Sequence, residues 1–305
     1  MFRAIYRTIP PAVRRRLDVR MPPLVRQLRV PVPGGQAAVF DRLQTSEMFK
    51  RLFWRGFAGY EPETSSALLV LARQARTILD VGAYVGYCSI VMARANPKAR
   101  IFSFEALAEN ANLMRHYLDL NGISSVEIVD RAVSDSDGSA RFYVPDRSHS
   151  RHPAISSLVD RFQAGRTFSD RGSVARDVAT VTLDSFCEDR ALDDVDLVKI
   201  DVEETEDRVL AGAEKLLAAF HPDIIMEIVG GGQCDVGQIE TQLRDHGYRF
   251  FSLETGSIVE RDRLVDTELG RVNARGAWGE MFATAQPGKR KPLIADMQVV
   301  LTALG

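Results

Sequence analysis

TILDVGAYVGYCSI, from Thr77 to Ile90, decides how the rest of the chain is read. An apolar run stops at an aspartate, Asp80, two glycines follow at Gly82 and Gly86, and apolar residues then recur at helical spacing. A buried strand that ends in an acidic, glycine-bearing turn and feeds a helix is the opening unit of a nucleotide-type site. The glycines let the backbone approach a ligand without a Cβ in the way.

Working outward, the apolar periodicity predicts strands over 77–82, 100–105, 125–130, 195–201, 223–229, 248–253 and 279–285. It predicts helices over 85–94, 107–120, 206–220 and 235–246. This alternation predicts an α/β fold: a doubly wound, mostly parallel, Rossmann-like sheet of seven strands with helices on both faces. The pair YRFFSLE and GEMFATAQ predicts one antiparallel strand near the C-terminus. Upstream, residues 40–76 read as helical, with Thr64 or Ser65 as the cap of the segment TSSALLVLARQA. The chain then divides into an arginine-rich arm and helical cover (1–60), a main domain (61–290) and a C-terminal helical tail (291–305). The main domain carries a polar, serine- and arginine-rich insertion over 146–179, long enough to serve as a substrate lid or to be a disordered insertion.

The bulk composition is that of an ordinary globular protein: 305 residues, 45% hydrophobic, 26% charged, net charge −2. Nothing in that balance recruits nucleic acid. The first thirty residues are different, with eight arginines against the single acid Asp18, broken by Pro10, Pro11, Pro22 and Pro23. That arm is either a solvated extension packed on the domain or a surface for anionic lipid or a partner. Cys88, Cys187 and Cys234 are scattered, without a CxxC pair, and suggest bystander thiols in a reducing compartment. No apolar run is long enough to span a bilayer and no h-region opens the chain, so the expected location is the cytoplasm.

Ligands of open parallel sheets sit beyond the carboxyl ends of the strands. The strand ends here are acidic: Asp80, Glu105, Asp130, Asp201 with Glu203, and Glu227. Glu105 stands about twenty residues past Gly86, where a doubly wound site places a carboxylate to accept both hydroxyls of an adenosine ribose. That much suits NAD and S-adenosylmethionine equally. The sign of the charge separates them: a pyrophosphate is repelled by a neighbouring carboxylate, and DVGAYVG departs from GxGxxG at Tyr84. S-adenosylmethionine carries an ammonium and a sulfonium, both favoured by carboxylates. The expected cofactor is therefore S-adenosylmethionine.

The blocks LDVGAYVGYCSI, IFSFEA, AVSDSDGSARFYV, VTLDSF, LVKIDVEETEDRVLAGAEKLL and PDIIMEI, taken in order, resemble the FkbM family of S-adenosylmethionine-dependent methyltransferases over about residues 60–282. The resemblance implies a class I methyltransferase fold and, commonly, O-methylation of a hydroxyl on a sugar, glycan or natural-product scaffold. Carried over position by position, it implies that Asp80, Gly82, Ala83 and Gly86 form the cofactor loop. Glu105 and Ala106 would then hold the ribose, Asp130 and Ala132 flank the adenine, and Asp201 and Glu203 face the acceptor, Asp201 also meeting the cofactor. Two positions depart from the family pattern: Tyr84 replaces a usual asparagine and Glu204 a usual glycine.

An alcohol acceptor must lose its proton as it attacks, and Asp201 or Glu203 is the best-placed general base, with Glu227, His149 and His152 behind them. Alternatively, Asp201 binds the cofactor's ammonium, or the acidic residues hold Mg²⁺. Lys199, two positions before Asp201 on one strand, faces the same way and pairs naturally with it. A second reading is a non-catalytic S-adenosylmethionine-fold module in a biosynthetic or surface-glycan assembly. A nucleic-acid methyltransferase fits poorly, since no aromatic tetrad follows the fourth strand to stack a flipped base.

Overall fold

A computed structural model describes residues 25–43, 47–145, 157–158, 173–229, 233–254, 257–264 and 278–304. Among the described residues eight strands form the central sheet: β3 (Thr77–Val81), β4 (Arg100–Phe104), β5 (Val126–Val129), β9 (Leu197–Ile200), β10 (Asp223–Val229), β11 (Arg249–Glu254), β12 (Ser257–Arg261) and β13 (Trp278–Thr284). Their order is β12-β11-β13-β10-β9-β3-β4-β5. The five strands from β10 to β5 run parallel, and β13 runs antiparallel between β10 and β11. The reversed strand near the C-terminus is therefore where the sequence places it. The count of seven is corrected to eight: β12, SIVER, pairs with β11 as an antiparallel edge. It is five residues long and only half-buried, so it lacks the apolar alternation that marks the other strands.

The pleat sends alternate side chains to opposite faces. Ile78 and Ile101 join one apolar layer with α2 (Pro62–Ala72), α3 (Tyr87–Ala95), α4 (Ala108–Leu120) and α9 (Pro287–Leu304). Leu79 and Phe102 join the other with α5 (Leu183–Asp189), α6 (Glu206–Ala211), α7 (Glu214–Phe220) and α8 (Val236–Asp245). Residues 206–220 form two helices rather than the single one expected; they break at Gly212, where a Cβ would lie 2.3 Å from the Ser134 carbonyl and only glycine fits.

The amino-terminal cover is not purely helical. Phe40 lies in β2 (Ala38–Asp41), which pairs antiparallel with β1 (Gln27–Val30) ahead of α1 (Glu47–Arg55). Asn121, after α4, fastens this hairpin by donating from Nδ2 to the Val39 carbonyl (2.7 Å) and accepting the Val39 N–H (2.8 Å). Helix α2 starts at Pro62, so Thr64 and Ser65 lie inside it; the cap is Glu61, in a left-handed conformation. Proline at the first helical position sets this start, since its missing N–H has no intrahelical partner to lose. Residues 1–24 of the arginine-rich arm lie outside the described residues.

A second sheet, β6 (Ala132–Val133), β7 (Gly138–Pro145) and β8 (Ser173–Val181), has the order β6-β8-β7. Residues 173–179 of the expected insertion thus form most of β8. Ser157 and Leu158 are described as well: Ser157 bridges Tyr143 through both backbone groups, at 2.7 and 3.1 Å. His149 and His152 lie outside the described residues. Among the described residues no helix is long and apolar enough to cross a membrane.

Candidate active site

The order in which successive strands are laid down reverses between β3 and β9, since β4 and β5 lie to one side and β10 to the other. At the carboxyl ends of these strands opens a cavity of about 390 Å³, within the range of small-molecule sites. Among the described residues six acids line it, Glu47, Glu61, Glu105, Asp201, Glu203 and Glu227, against the two bases Arg51 and Arg131. Met48, Phe104, Phe142 and Leu158 give it apolar walls.

The glycine turn is built by close approach. Gly82 has φ +75°, and a Cβ there would sit 1.8 Å from the carbonyl oxygen of Asp201. The turn is pinned to the next strand by the N–H groups of Gly82 and Ala83, both donating to the Phe104 carbonyl at 3.1 and 2.9 Å. Gly82 lines the cavity, whereas Ala83 is buried behind it. Gly86 (φ +84°) is the cap of α3, and its missing Cβ makes room for Met114 of α4, whose Cγ would be 2.6 Å away. Its smallness therefore serves helix packing; Gly86 is not among the cavity-lining residues.

Asp80 is also set back from the cavity. It is fully buried, accepts a hydrogen bond from Ser89 Oγ, and has Lys199 Nζ 3.6 Å from Oδ1. Lys199 reaches Asp201 Oδ2 at 3.1 Å and donates to the Gly82 carbonyl at 2.9 Å. Burial alone would lower the lysine pKa, but Asp201 and Asp80 outweigh it and hold the ammonium charged. The charge of Asp80 is thus spent on Lys199, which ties the first and fourth strand ends together. The negative charge that faces a ligand comes from the other carboxylates.

Glu105 and Ala106 line the cavity. Glu105 Oε1 accepts from the Leu107 N–H (2.8 Å) and Asn110 Nδ2 (3.3 Å), and the Tyr84 N–H adds a further bond. Burial nevertheless raises its pKa to about 7. Tyr84 makes that bond from a left-handed conformation, φ 52°, a region in which asparagine is at ease and tyrosine is not. At the end of β5 the sequence expectation divides. Ala132 lines the cavity with Arg131 and Val133, while Asp130 is exposed and ion-paired with Arg115 at 2.5 Å.

Asp201 and Glu203 both line the cavity. Glu203 (φ 60°) and Glu204 (φ 75°) are both left-handed, so the turn keeps the conformation that a glycine would favour at the second position. The Glu204 side chain braces the turn, its Oε2 accepting the Gln233 N–H at 3.1 Å. Ser157 Oγ donates to the Glu203 carbonyl at 2.6 Å, which brings the insertion to the site.

Three acids crowd the far side. Glu227 lines the cavity and lies directly opposite Glu280 in the β10–β13 register. Burial, then Asp201 and Glu280, raises the Glu227 carboxyl well above its usual range, and burial raises Glu280 to about 8. Glu61, from the cover, is raised to about 7 by burial and then by Asp201. Sequence reasoning named neither Glu61, its neighbour Tyr60, nor Glu280. The pair Glu61-Pro62 was the available signal, since proline marks a helix start and Glu61 is then its cap. Among the described residues no group of three or more His, Cys, Asp or Glu side chains has the spacing of a metal site.

The residues suit S-adenosylmethionine. Glu105 is an oriented carboxylate with one oxygen anchored, as a ribose diol requires, and Asp201 stands where a cationic group would enter. Fold and site together define a class I methyltransferase that uses S-adenosylmethionine as methyl donor. Residues 80–250, more than half of the chain, match the methyltransferase FkbM domain, and the chain belongs to that family.

Two curated relatives fall near the same level of similarity. The AMB antimetabolite synthetase AmbE of Pseudomonas aeruginosa is 27% identical over 72% of this chain, which spans only 11% of that protein's length. The 31-O-demethyl-FK506 methyltransferase FkbM of Streptomyces tacrolimicus is 27% identical over 68% of this chain and 83% of its own. Among solved structures, the SAM-dependent methyltransferase from Agrobacterium tumefaciens superposes with a TM-score of 0.46 at 11% identity, over 90% of this chain and 78% of that one.

Proposed function

We propose that the protein transfers a methyl group from S-adenosylmethionine to a hydroxyl of a sugar, glycan or natural-product small molecule. One observation carries this reading: Glu61, Asp201, Glu203 and Glu227 converge in the cavity that also holds Glu105. Hydroxyl donors find acceptors there, and a proton released on attack finds a carboxylate. When bound, the cofactor supplies an electrophilic methyl group, so the protein's work is alignment and proton removal. Glu105, Ala106, Gly82 and Ala132 are assigned to holding the donor, while Lys199 and Asp80 fix the turn behind it. Asp201 and Glu203 are assigned to the acceptor end, where Met48, Phe142 and Leu158 supply an apolar wall. Ser157, through its bond to the Glu203 carbonyl, and Leu158 are assigned to covering the acceptor side.

The test is release of S-adenosylhomocysteine on incubation with a panel of sugars, glycolipids and polyol natural products, with the product checked by mass for one added methyl group. Methylation at nitrogen or carbon alone would refute hydroxyl transfer. Donor binding without turnover on any acceptor would favour a non-catalytic module.

A further inference from the structure

Of the seven non-glycine residues with positive φ among the described residues, three line the cavity: Glu61 (φ 40°), Tyr84 (φ 52°) and Glu203 (φ 60°). Tyr84 uses its conformation to aim an N–H at Glu105, and Glu203 lies in the turn that accepts from Ser157. Glu61 is the odd one. It precedes a proline, which disfavours helical backbone at the preceding position, and its side chain makes no cap bond to the helix it starts. Strain of this kind persists where the side chain's position is needed.

Within the cluster, Glu61 is the carboxylate best suited to change protonation. Asp201 has one oxygen committed to Lys199 at 3.1 Å. Glu227 stands against Glu280 across two strands, and like charges that close cannot both ionise. Glu61 is faced by Tyr60 from its own segment, by Asp80 of β3, and by Lys199 and Asp201 at the end of β9. Its charge is also felt by Tyr87 and Cys88 of α3 and by Glu227 and Glu280 of β10 and β13. Lys199, the cation of this set, is already held by Asp80, Asp201 and the Gly82 carbonyl. Burial, followed by repulsion from Asp201, leaves Glu61 titrating at about 7. A base that titrates near the working pH is the efficient one.

We infer that Glu61 is the catalytic residue that takes the proton from the acceptor hydroxyl, with Asp201 and Glu203 left to position the acceptor and the methyl donor. This rests on the hydroxyl-transfer reading above. In the step, the acceptor oxygen bonds to the methyl carbon and the carbon–sulfur bond breaks with its electron pair staying on sulfur. The hydroxyl proton moves to a Glu61 oxygen, so the sulfonium's positive charge and the carboxylate's negative charge vanish together.

The experiment compares native protein with Glu61→Gln and Glu61→Gly on whichever acceptors of the sugar and glycolipid panel the native protein methylates. Both variants are expected to lose about 10²-fold or more in kcat, with S-adenosylhomocysteine affinity by calorimetry unchanged. Both are also expected to melt no lower than native, because glutamine relieves charge crowding and glycine relieves the left-handed strain. Infrared difference spectra of native minus Glu61→Gln, which need no acceptor, should show a carboxyl titrating near pH 7. Native-like turnover by Glu61→Gln overturns the assignment alone, as does a difference spectrum in which Glu61 stays ionised down to pH 5. No turnover on any acceptor by native protein overturns the hydroxyl-transfer reading and this assignment with it.

Discussion

Replacing Glu105 by glutamine separates what its charge does for the fold from what it does for the cofactor. The residue is 8% exposed, and burial raises its pKa from 4.5 to about 7 despite the bonds from Leu107, Asn110 and Tyr84. A carboxyl raised on folding contributes stability that is fully present below about pH 4.5 and lost as pH climbs through about 7. The gap between 4.5 and about 7, at about 1.4 kcal/mol per tenfold change in proton affinity, sets a ceiling of about 3 kcal/mol of destabilisation at pH 8. Glutamine keeps an oxygen for the Leu107 N–H and Asn110 Nδ2 while removing the charge. Ligand-free Glu105→Gln should therefore melt above native protein at pH 8, by about 2–4 °C for each kcal/mol recovered, and the difference should fade toward pH 5. S-adenosylhomocysteine affinity moves the opposite way and narrows the melting gain. A charge-assisted ribose bond becomes a neutral one, which costs about 1–2 kcal/mol, roughly 5- to 30-fold in Kd. Thermal melts at pH 5.5 and 8, with and without ligand, and calorimetry for Kd test both halves. A variant that melts lower at pH 8 and binds S-adenosylhomocysteine as tightly as native would refute the argument.

The two loop glycines should differ in tolerance. Gly82→Ala drives a Cβ into the Asp201 carbonyl and should cost about 3 kcal/mol or more, whereas Gly86→Ala meets the flexible Met114 side chain and should cost about 1–2 kcal/mol in urea denaturation; equal costs would contradict this. Lys199→Met leaves the buried Asp80 without its cation and should destabilise by about 3–5 kcal/mol. Adding Asp80→Asn should recover part of that loss, and no recovery would place the coupling elsewhere. Glu61, Glu105 and Glu206 are raised to about 7 and Glu280 to about 8, burial being the largest cause in each, so the native state binds more protons than the unfolded chain from about pH 4.5 to 8. Global stability of the ligand-free protein should then fall as pH rises from 5.5 to 8.5; a rise over that window would show that these acids are not raised.

Reading strand ends from sequence works because strand, turn and helix are written within a few consecutive residues. Gly82, Glu105, Asp201 and Glu203 each stand within three residues of a strand's end, and each lines the cavity. What fails is direction and distance. After β5 the chain turns, and the three residues that follow Asp130 line the cavity while Asp130 itself meets Arg115 outside. The positive φ of Gly86 is legible, but that Met114 rather than a ligand fills the space depends on how α4 crosses α3. Glu61 is invisible for a related reason: it lies ahead of the motif-bearing strands and reaches the site only because α2 is laid across the sheet with every residue from Thr64 to Ala72 buried.

The left-handed positions around the cavity sort into two kinds, and the sorting bears on what the site is for. Gly82 is left-handed where no Cβ can fit, so glycine is the only residue that serves. Glu61, Tyr84 and Glu203 are left-handed where the cavity leaves room for a side chain. Glycine at those three positions would relieve about 1 kcal/mol or more of strain each. Retaining larger residues there, in a cavity already crowded with acids, costs stability twice, through backbone strain and through burial of like charges. A fold that needed only to hold together would shed both costs by small changes at the cavity walls. Their coexistence in one pocket, beside a lysine fixed by Asp80 and Asp201, fits a site where side-chain placement counts for more than stability, as stability–activity trade-offs lead one to expect of a working active site.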